Sequence, residues 1–311
     1  MKKPIFIIGS PRSGTSMVLE ILAFHEEVAW VSNMVTFLPK HLYLSVFNRI
    51  YDIPGLSEKF WFMVSRTSGT LPKKIKRYMP RPSEPWGFWD TYLPNFQWKR
   101  GGTVPPRRRT REDISQKEIR DVKSAVDSVC FYHGKKRFLS KYTDFPRIEY
   151  LRQAFPDALF LHIVRDGRAV AASYYEKISR GVFANWEERE WWIKGWPENW
   201  RNEWLENYNT QLSFVVFQWK FFLSEIWKDA EQLPDSQYKE VNYKDIISSP
   251  LESFDTILDF CRLKESKRIK SLIDNLRFEN MNKKWKKFSE EEKKMLNDII
   301  NEPEFQRVLD E

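Results

Sequence analysis

Eight residues near the N-terminus, Gly9-Ser10-Pro11-Arg12-Ser13-Gly14-Thr15-Ser16, bring four hydroxyls, one guanidinium and two glycines into a single turn. Glycine reaches backbone angles that other residues resist, so successive N–H groups of such a turn can converge on one oxyanion. The short apolar run Ile5-Phe6-Ile7-Ile8 before it reads as a buried strand, and Met17, Leu19, Ile21 and Leu22 after it follow helical spacing. A helix that starts at the turn points its positive end at the same spot. The stretch is therefore predicted to hold a phosphate-like group.

The glycine spacing equals that of the phosphate loop G-x-x-x-x-G-K-[ST], but Thr15 stands where the lysine belongs. A triphosphatase without that lysine must neutralise its β- and γ-phosphates by other means, which argues against ATP or GTP hydrolysis. Arg12 suits a bidentate grip on a tetrahedral oxyanion. A second constellation, Arg165-Asp166-Gly167-Arg168 with Ser173, follows the apolar run Leu159–Val164. Strand ends of a parallel sheet share one edge, so Lys141 and Arg165, each just past a predicted strand, fall on the rim that carries the loop. Two anion sites on one rim call for a ligand with two anionic ends, one held by the loop and the other by Arg165 with Ser173. Arg165–Arg168 reads equally as a salt-bridged helix start with Asp166 as its cap. Ser173, two turns on, faces the rim only if its helix leans along it.

The elements that must position these groups alternate in α/β fashion. Val28–Val31 is the second predicted strand and forms a right-handed βαβ unit with the first. Arg137–Ser140, ending at Lys141, is the third, Leu159–Val164 the fourth and Tyr238–Asn242 the last. Helices are predicted from Ile114 to Val129 with Asp113 as N-cap, over Pro146–Phe155, from Ala169, over Leu212–Trp227, Pro250–Cys261 and Glu265–Leu276, with two polar helices at the end. From residue 34 to 98 seven prolines interrupt helix-like groups, which marks a cap over the strand ends. Lys99–Arg111 reads as a basic surface loop, either solvated or attracting an anionic acceptor. The tryptophan-dense segment 185–209 reads as a second cap, an interface, or the anchors of amphipathic helices. No repeat or linker divides the chain, so residues 1–311 are expected to form one domain.

Of the 311 residues 41% are hydrophobic, enough for a substantial core, and 14 Trp, 12 Tyr and 23 Phe supply ring surfaces beyond it. A formal charge of +8 favours anionic ligands or surfaces. No recognised nucleic-acid fold accompanies the basic loop, so nucleic acid is not expected as a partner. Cys130 and Cys261 have no neighbours at metal-ligand spacing and read as free thiols in a reducing compartment; no metal is expected. The first strand begins within five residues of Met1, and no run of about 18 apolar residues is present. A cytoplasmic protein is the expectation, with peripheral membrane contact left open.

Taken together, Gly9–Ser16 and Val164-Arg165-Asp166-Gly167-Arg168-Ala169-Val170-Ala171-Ala172-Ser173 resemble the sulfotransferases that use 3′-phosphoadenosine 5′-phosphosulfate. Within these the chain is most similar to the group that includes tyrosylprotein and bacterial carbohydrate sulfotransferases. The resemblance implies a P-loop-type parallel sheet flanked by helices. It also implies that Gly9, Ser10, Pro11, Arg12, Ser13, Gly14, Thr15 and Ser16 bind the 5′-phosphosulfate, and that Arg165 and Ser173 bind the 3′-phosphate. It extends to Lys141, matching a lysine near the sulfuryl group, to Phe155-Pro156-Asp157-Ala158, to Tyr243-Lys244-Asp245-Ile246, and to Lys284-Trp285 as a cofactor contact. The implied reaction moves a sulfuryl group to a hydroxyl or amine, needs no metal and releases adenosine 3′,5′-bisphosphate. The acceptor would be a small molecule, a glycan or a lipid headgroup. One departure stands out. The glutamate that takes the acceptor's proton just after the second strand is replaced by Asn33, and asparagine cannot act as a base. His41, Glu84 and Asp90 in the cap are the candidate substitutes. The alternatives are an inactive nucleotide-binding protein of the same fold and a P-loop nucleotide kinase. The kinase lacks its lysine, and has Arg165 where an aspartate should follow the strand.

Overall fold

The computed structural model describes residues 2–65, 71–72, 75, 78–96, 106–179 and 187–309. Strands β1 (Lys2–Ile8), β2 (Val28–Trp30), β3 (Arg137–Lys141), β4 (Leu159–Val164) and β5 (Tyr238–Asn242) form a parallel sheet in the order β2-β3-β1-β4-β5. The anion loop thus leaves the central strand, with β3 and β4 as its neighbours. The predicted βαβ unit skips a position, because β3 lies between β1 and β2. Only three residues long, β2 suits an edge, while the longer β3, β1 and β4 fill the middle.

Side chains alternate across the sheet with the period of an extended chain. Ile5 and Ile7 join Leu139, Leu159 and Leu161 in one layer, covered by α1 (Thr15–Leu22) and the Pro250–Phe260 and Lys267–Asp274 helices. Phe6 and Ile8 join Phe138 and Phe160 in the other, under the Gln116–His133 and Ile148–Ala154 helices. Phe6 stacks on Phe160 with centroids 5.6 Å apart and no exposure, so truncation to alanine costs about 3–5 kcal/mol. A third cluster joins the Gly167–Ser179, Gln211–Ala230 and Glu290–Ile299 helices.

Trp191, Trp192, Trp196, Trp200 and Trp204 are buried in that third cluster, so this part of segment 185–209 anchors helices; Trp186 lies outside the described residues. The helix predicted to start after Asp113 begins at Gln116, with Ser115 and Glu118 forming its capping box. Ile114 is extended at φ −123° and ψ 132°, which separates Asp113 from the helix. Of the basic loop, residues 99–105 lie outside the described residues. Arg107 pairs with Asp113 at 2.7 Å, Arg108 with Asp229 at 3.0 Å and Arg111 with Glu112 at 2.9 Å. The cap contributes short helices at Asn33–Phe37, Leu42–Asp52, Ser57–Val64 and Trp86–Tyr92. It is tied together where Thr36 and Ser83 hydroxyls meet at 2.9 Å. Among the described residues no helix is long and apolar enough to cross a membrane.

Candidate active site

The loop after β1 is wound through the left-handed region, with φ 153° at Gly9, 74° at Arg12 and 101° at Gly14. A Cβ on Gly9 would stand 2.5 Å from the Ile163 carbonyl, and one on Gly14 would stand 2.4 Å from the Tyr243 ring. Glycine is therefore required twice, by the neighbouring strand and by an aromatic lid on the loop. Ser13 Oγ donates to the Ser10 carbonyl at 2.8 Å and tightens the turn. No side chain caps α1 at Gly14, so its first-turn amides are not consumed by a cap.

Lys141, at the end of β3 and 3% exposed, donates from Nζ to Thr15 Oγ1 at 3.2 Å. Thr15 holds the position of the lysine in ordinary phosphate loops, so a neighbouring strand brings an ammonium to the place the loop lacks one. The same Nζ lies 3.1 Å from Glu84 Oε2, and Thr143 Oγ1 donates to Glu84 Oε1 at 2.8 Å. Glu84 is thereby oriented from two sides against the loop.

Arg165, at the end of β4 and 5% exposed, donates from Nη1 to the Arg12 carbonyl at 2.9 Å and from Nε to Asn282 Oδ1 at 2.7 Å. Its guanidinium lies 4.2 Å from the Tyr243 ring centroid. Ser173 does face the rim, because its Oγ accepts from Arg12 Nε at 3.0 Å. The two anion sites expected to be apart are thus stitched together by Arg12. Lys284 pairs with Glu176 at 2.9 Å. Asp166 caps its helix by accepting from the Arg168 amide at 2.8 Å, and it pairs with the Arg168 guanidinium at 2.7 Å. Trp285 covers that guanidinium at 4.2 Å and does not line the cavity.

Arg12, Gly14, Thr15, Ser16, Glu84, Lys141, Arg165, Ser173, Tyr243 and Lys284 line a cavity of about 760 Å³, which Gly9, Ser10 and Ser13 do not reach. Among the described residues its walls carry six cationic side chains, Arg12, Lys141, Arg147, Arg165, Lys177 and Lys284, against three carboxylates, Glu84, Asp144 and Glu176. Beyond Lys141 the walls turn aromatic, with Trp86, Phe145, Trp191, Trp192 and Phe222. Burial lowers the Arg12 guanidinium from its ordinary value, with Glu176 opposing. Burial raises the Tyr243 hydroxyl, with Arg165 and Arg12 opposing. Burial also raises the Asp144 carboxyl; Arg147 opposes this and Glu84 adds to it.

Of the three substitute bases, only Glu84 lines the cavity. His41 is exposed with its ring edge-on to Tyr43, and Asp90 is exposed on the Trp86–Tyr92 helix. Asn33 is buried at the start of a helix capped by Ser32, its backbone N–H donating to the Arg81 carbonyl at 3.1 Å, and does not line the cavity. Sequence reasoning missed Thr143, Asp144, Arg147, Glu176 and Asn282. The run Lys141-Tyr142-Thr143-Asp144 directly after a strand was the one available signal for the first two.

A parallel sheet whose central strand ends in a glycine-wound loop, facing cations from both neighbouring strands, defines an α/β protein with a cationic rim at its strand ends. The chain belongs to the sulfotransferase family, whose model matches residues 4–267, and is a transferase. A sulfotransferase from Mycobacterium avium, STF9, is 14% identical with a TM-score of 0.55, covering 99% of this chain and 77% of that one. The sulfotransferase domain of the curacin biosynthetic pathway is 10% identical with a TM-score of 0.51, covering 96% and 98%. At these identities the likeness is one of fold. A search of curated proteins gives no match.

Proposed function

We propose that the protein moves a sulfuryl group from 3′-phosphoadenosine 5′-phosphosulfate to a hydroxyl or amine of a small-molecule, glycan or lipid-headgroup acceptor. The observation that carries this reading is the position of Lys141, whose Nζ touches the anion loop at Thr15 and the carboxylate of Glu84 at once. The donor set fits the cosubstrate: the wall has a surplus of cations, and the loop is shaped by glycines that admit no Cβ. Bound there, the cosubstrate supplies the sulfuryl group and a bisphosphate leaving group.

Arg12, the N–H groups of Gly14, Thr15 and Ser16 and the Thr15 hydroxyl hold the phosphosulfate end. Arg165 and Ser173 hold the 3′-phosphate, while Tyr243 braces Arg165 and Lys284 adds charge at the rim. Lys141 stabilises the negative charge that moves toward the leaving oxygen, an effect of a few kcal/mol in a preorganised site. Glu84 accepts the proton of the attacking hydroxyl, in the place Asn33 cannot fill. Thr143 and Lys141 keep that carboxylate aimed at the loop. A base on the cavity wall favours the enzyme over a binding protein that has lost transfer.

The test offers labelled sulfuryl donor with sugars, lipids, peptides and phenols. Transfer to at least one class, slowed about 10²–10³-fold in Lys141→Ala, is expected. No transfer to any of them would favour the inactive binder.

A further inference from the structure

Arg147 lines the cavity beyond Lys141 yet is only 1% exposed. Its Nε donates to the Phe96 carbonyl at 2.6 Å, and its Nη1 donates to Asp144 Oδ1 at 2.7 Å and to the Phe145 carbonyl at 2.6 Å. The Phe96 ring lies 4.5 Å from the guanidinium carbon. Among the described residues Nη2 has no hydrogen-bond partner, and it is not wholly enclosed by protein, so its N–H groups are open to the cavity. Asp144 holds a left-handed backbone at φ 80°, and its side chain keeps a quarter of its surface open. Oδ1 is used by Arg147 and the Phe145 backbone N–H also bears on the carboxylate, which keeps lone pairs on Oδ2 for a further donor. Strained backbone of this kind concentrates at functional sites.

We propose that Asp144 and Arg147 form the acceptor subsite and that it takes an uncharged polyol, an acceptor bearing a second hydroxyl beside the one that is sulfated. The proposal rests on the sulfotransferase reading above. Asp144 Oδ2 accepts from one hydroxyl and Arg147 Nη2 donates to the oxygen of its neighbour, a pairing that a lone hydroxyl cannot satisfy. The C–H face of the same molecule lies along Trp86, Phe145 and Trp192. Two ion pairs, Asp144–Arg147 and Glu84–Lys141, stand at this end with no net charge between them, which matches a neutral ligand and not an anion.

Glycosides and glycerol-headed lipids share this chemistry. Methyl β-glucopyranoside, 1-octanoylglycerol, phenol and benzoate are offered to the full chain loaded with adenosine 3′,5′-bisphosphate, and binding is read by saturation-transfer NMR. At least one diol probe binds, more tightly than phenol and benzoate, and the tighter diol identifies the source. Asp144→Asn, which tolerates the left-handed backbone, weakens that binding at least tenfold and leaves bisphosphate affinity within twofold. Arg147→Lys, which keeps the charge without the fork, has the same direction of effect. The subsite is overturned if neither diol binds, if phenol or benzoate binds as tightly, or if Asp144→Asn leaves diol affinity unchanged. Failure of the unsubstituted protein to bind bisphosphate overturns the underlying reading, and this proposal with it.

Discussion

At one end of the cavity stand the loop residues Pro11, Arg12 and Gly14–Ser16 with Lys141 and Arg165 crossing from the ends of β3 and β4; at the other are Asp144 and Arg147 set among Trp86, Phe145 and Trp192. The first end is built on a glycine-wound loop, and its geometry is enforced by a clash that any Cβ on Gly14 would meet at Tyr243. The second is made of side chains, and its shape follows the rotamers and packing of large rings. A glycine-wound cradle suits a ligand that never changes, and a side-chain wall suits one that varies between proteins of similar fold. Lys141 and Glu84, 3.1 Å apart, stand at the junction and belong to both.

Substitutions at the junction give the largest effects. Glu84→Gln lowers kcat about a thousandfold with bisphosphate affinity retained, as expected for loss of a general base. Lys141→Ala lowers kcat by about 10²–10³, the range for removal of one oxyanion donor. If either variant instead lost bisphosphate binding while turning over normally, the junction would belong to the cofactor end alone. Arg165→Ala raises the bisphosphate dissociation constant about a hundredfold by calorimetry, since charged hydrogen bonds contribute about 1.5–3 kcal/mol each. Acceptor affinity is unchanged in that variant, and a matching loss would mean that the two ends are not separate. The smallest effect is the pH dependence of acceptor binding. The Asp144 carboxyl sits above its usual value of 3.8 through burial, with Arg147 opposing and Glu84 adding. As pH falls, Asp144 therefore takes up its proton earlier than an ordinary aspartate, and the acceptor KM rises from that point. Asp144→Asn removes this inflection, and an unchanged profile would place the titration elsewhere.

The same contrast explains what the sequence revealed. Gly9–Ser16 and Arg165–Ser173 were legible because main-chain chemistry is written in consecutive residues, glycines and a cap, beside apolar strand runs. The strands β1, β3, β4 and β5 were legible for the same reason, whereas the edge position of β2 depends on pairing that no local pattern encodes. Glu84 was one of three candidates, and only the folding of the cap against Ser32–Thr36 separates it from His41 and Asp90. Arg147 gave no signal, because its importance lies in contacts with Phe96, Asp144 and Phe145 that bury it. Trp285, read as a cofactor contact, does not line the cavity and covers the Arg168 guanidinium that pairs with Asp166.

The central claim is that the loop and Arg165 form a two-ended clamp for a nucleotide carrying separate 5′ and 3′ anions. Calorimetric titration of the full chain with adenosine 3′,5′-bisphosphate, ATP and GDP tests it directly. The account predicts that the bisphosphate binds at least tenfold more tightly than either of the others, and that Arg165→Ala removes the preference. Equal affinity for all three, or a preference that survives Arg165→Ala, would contradict it.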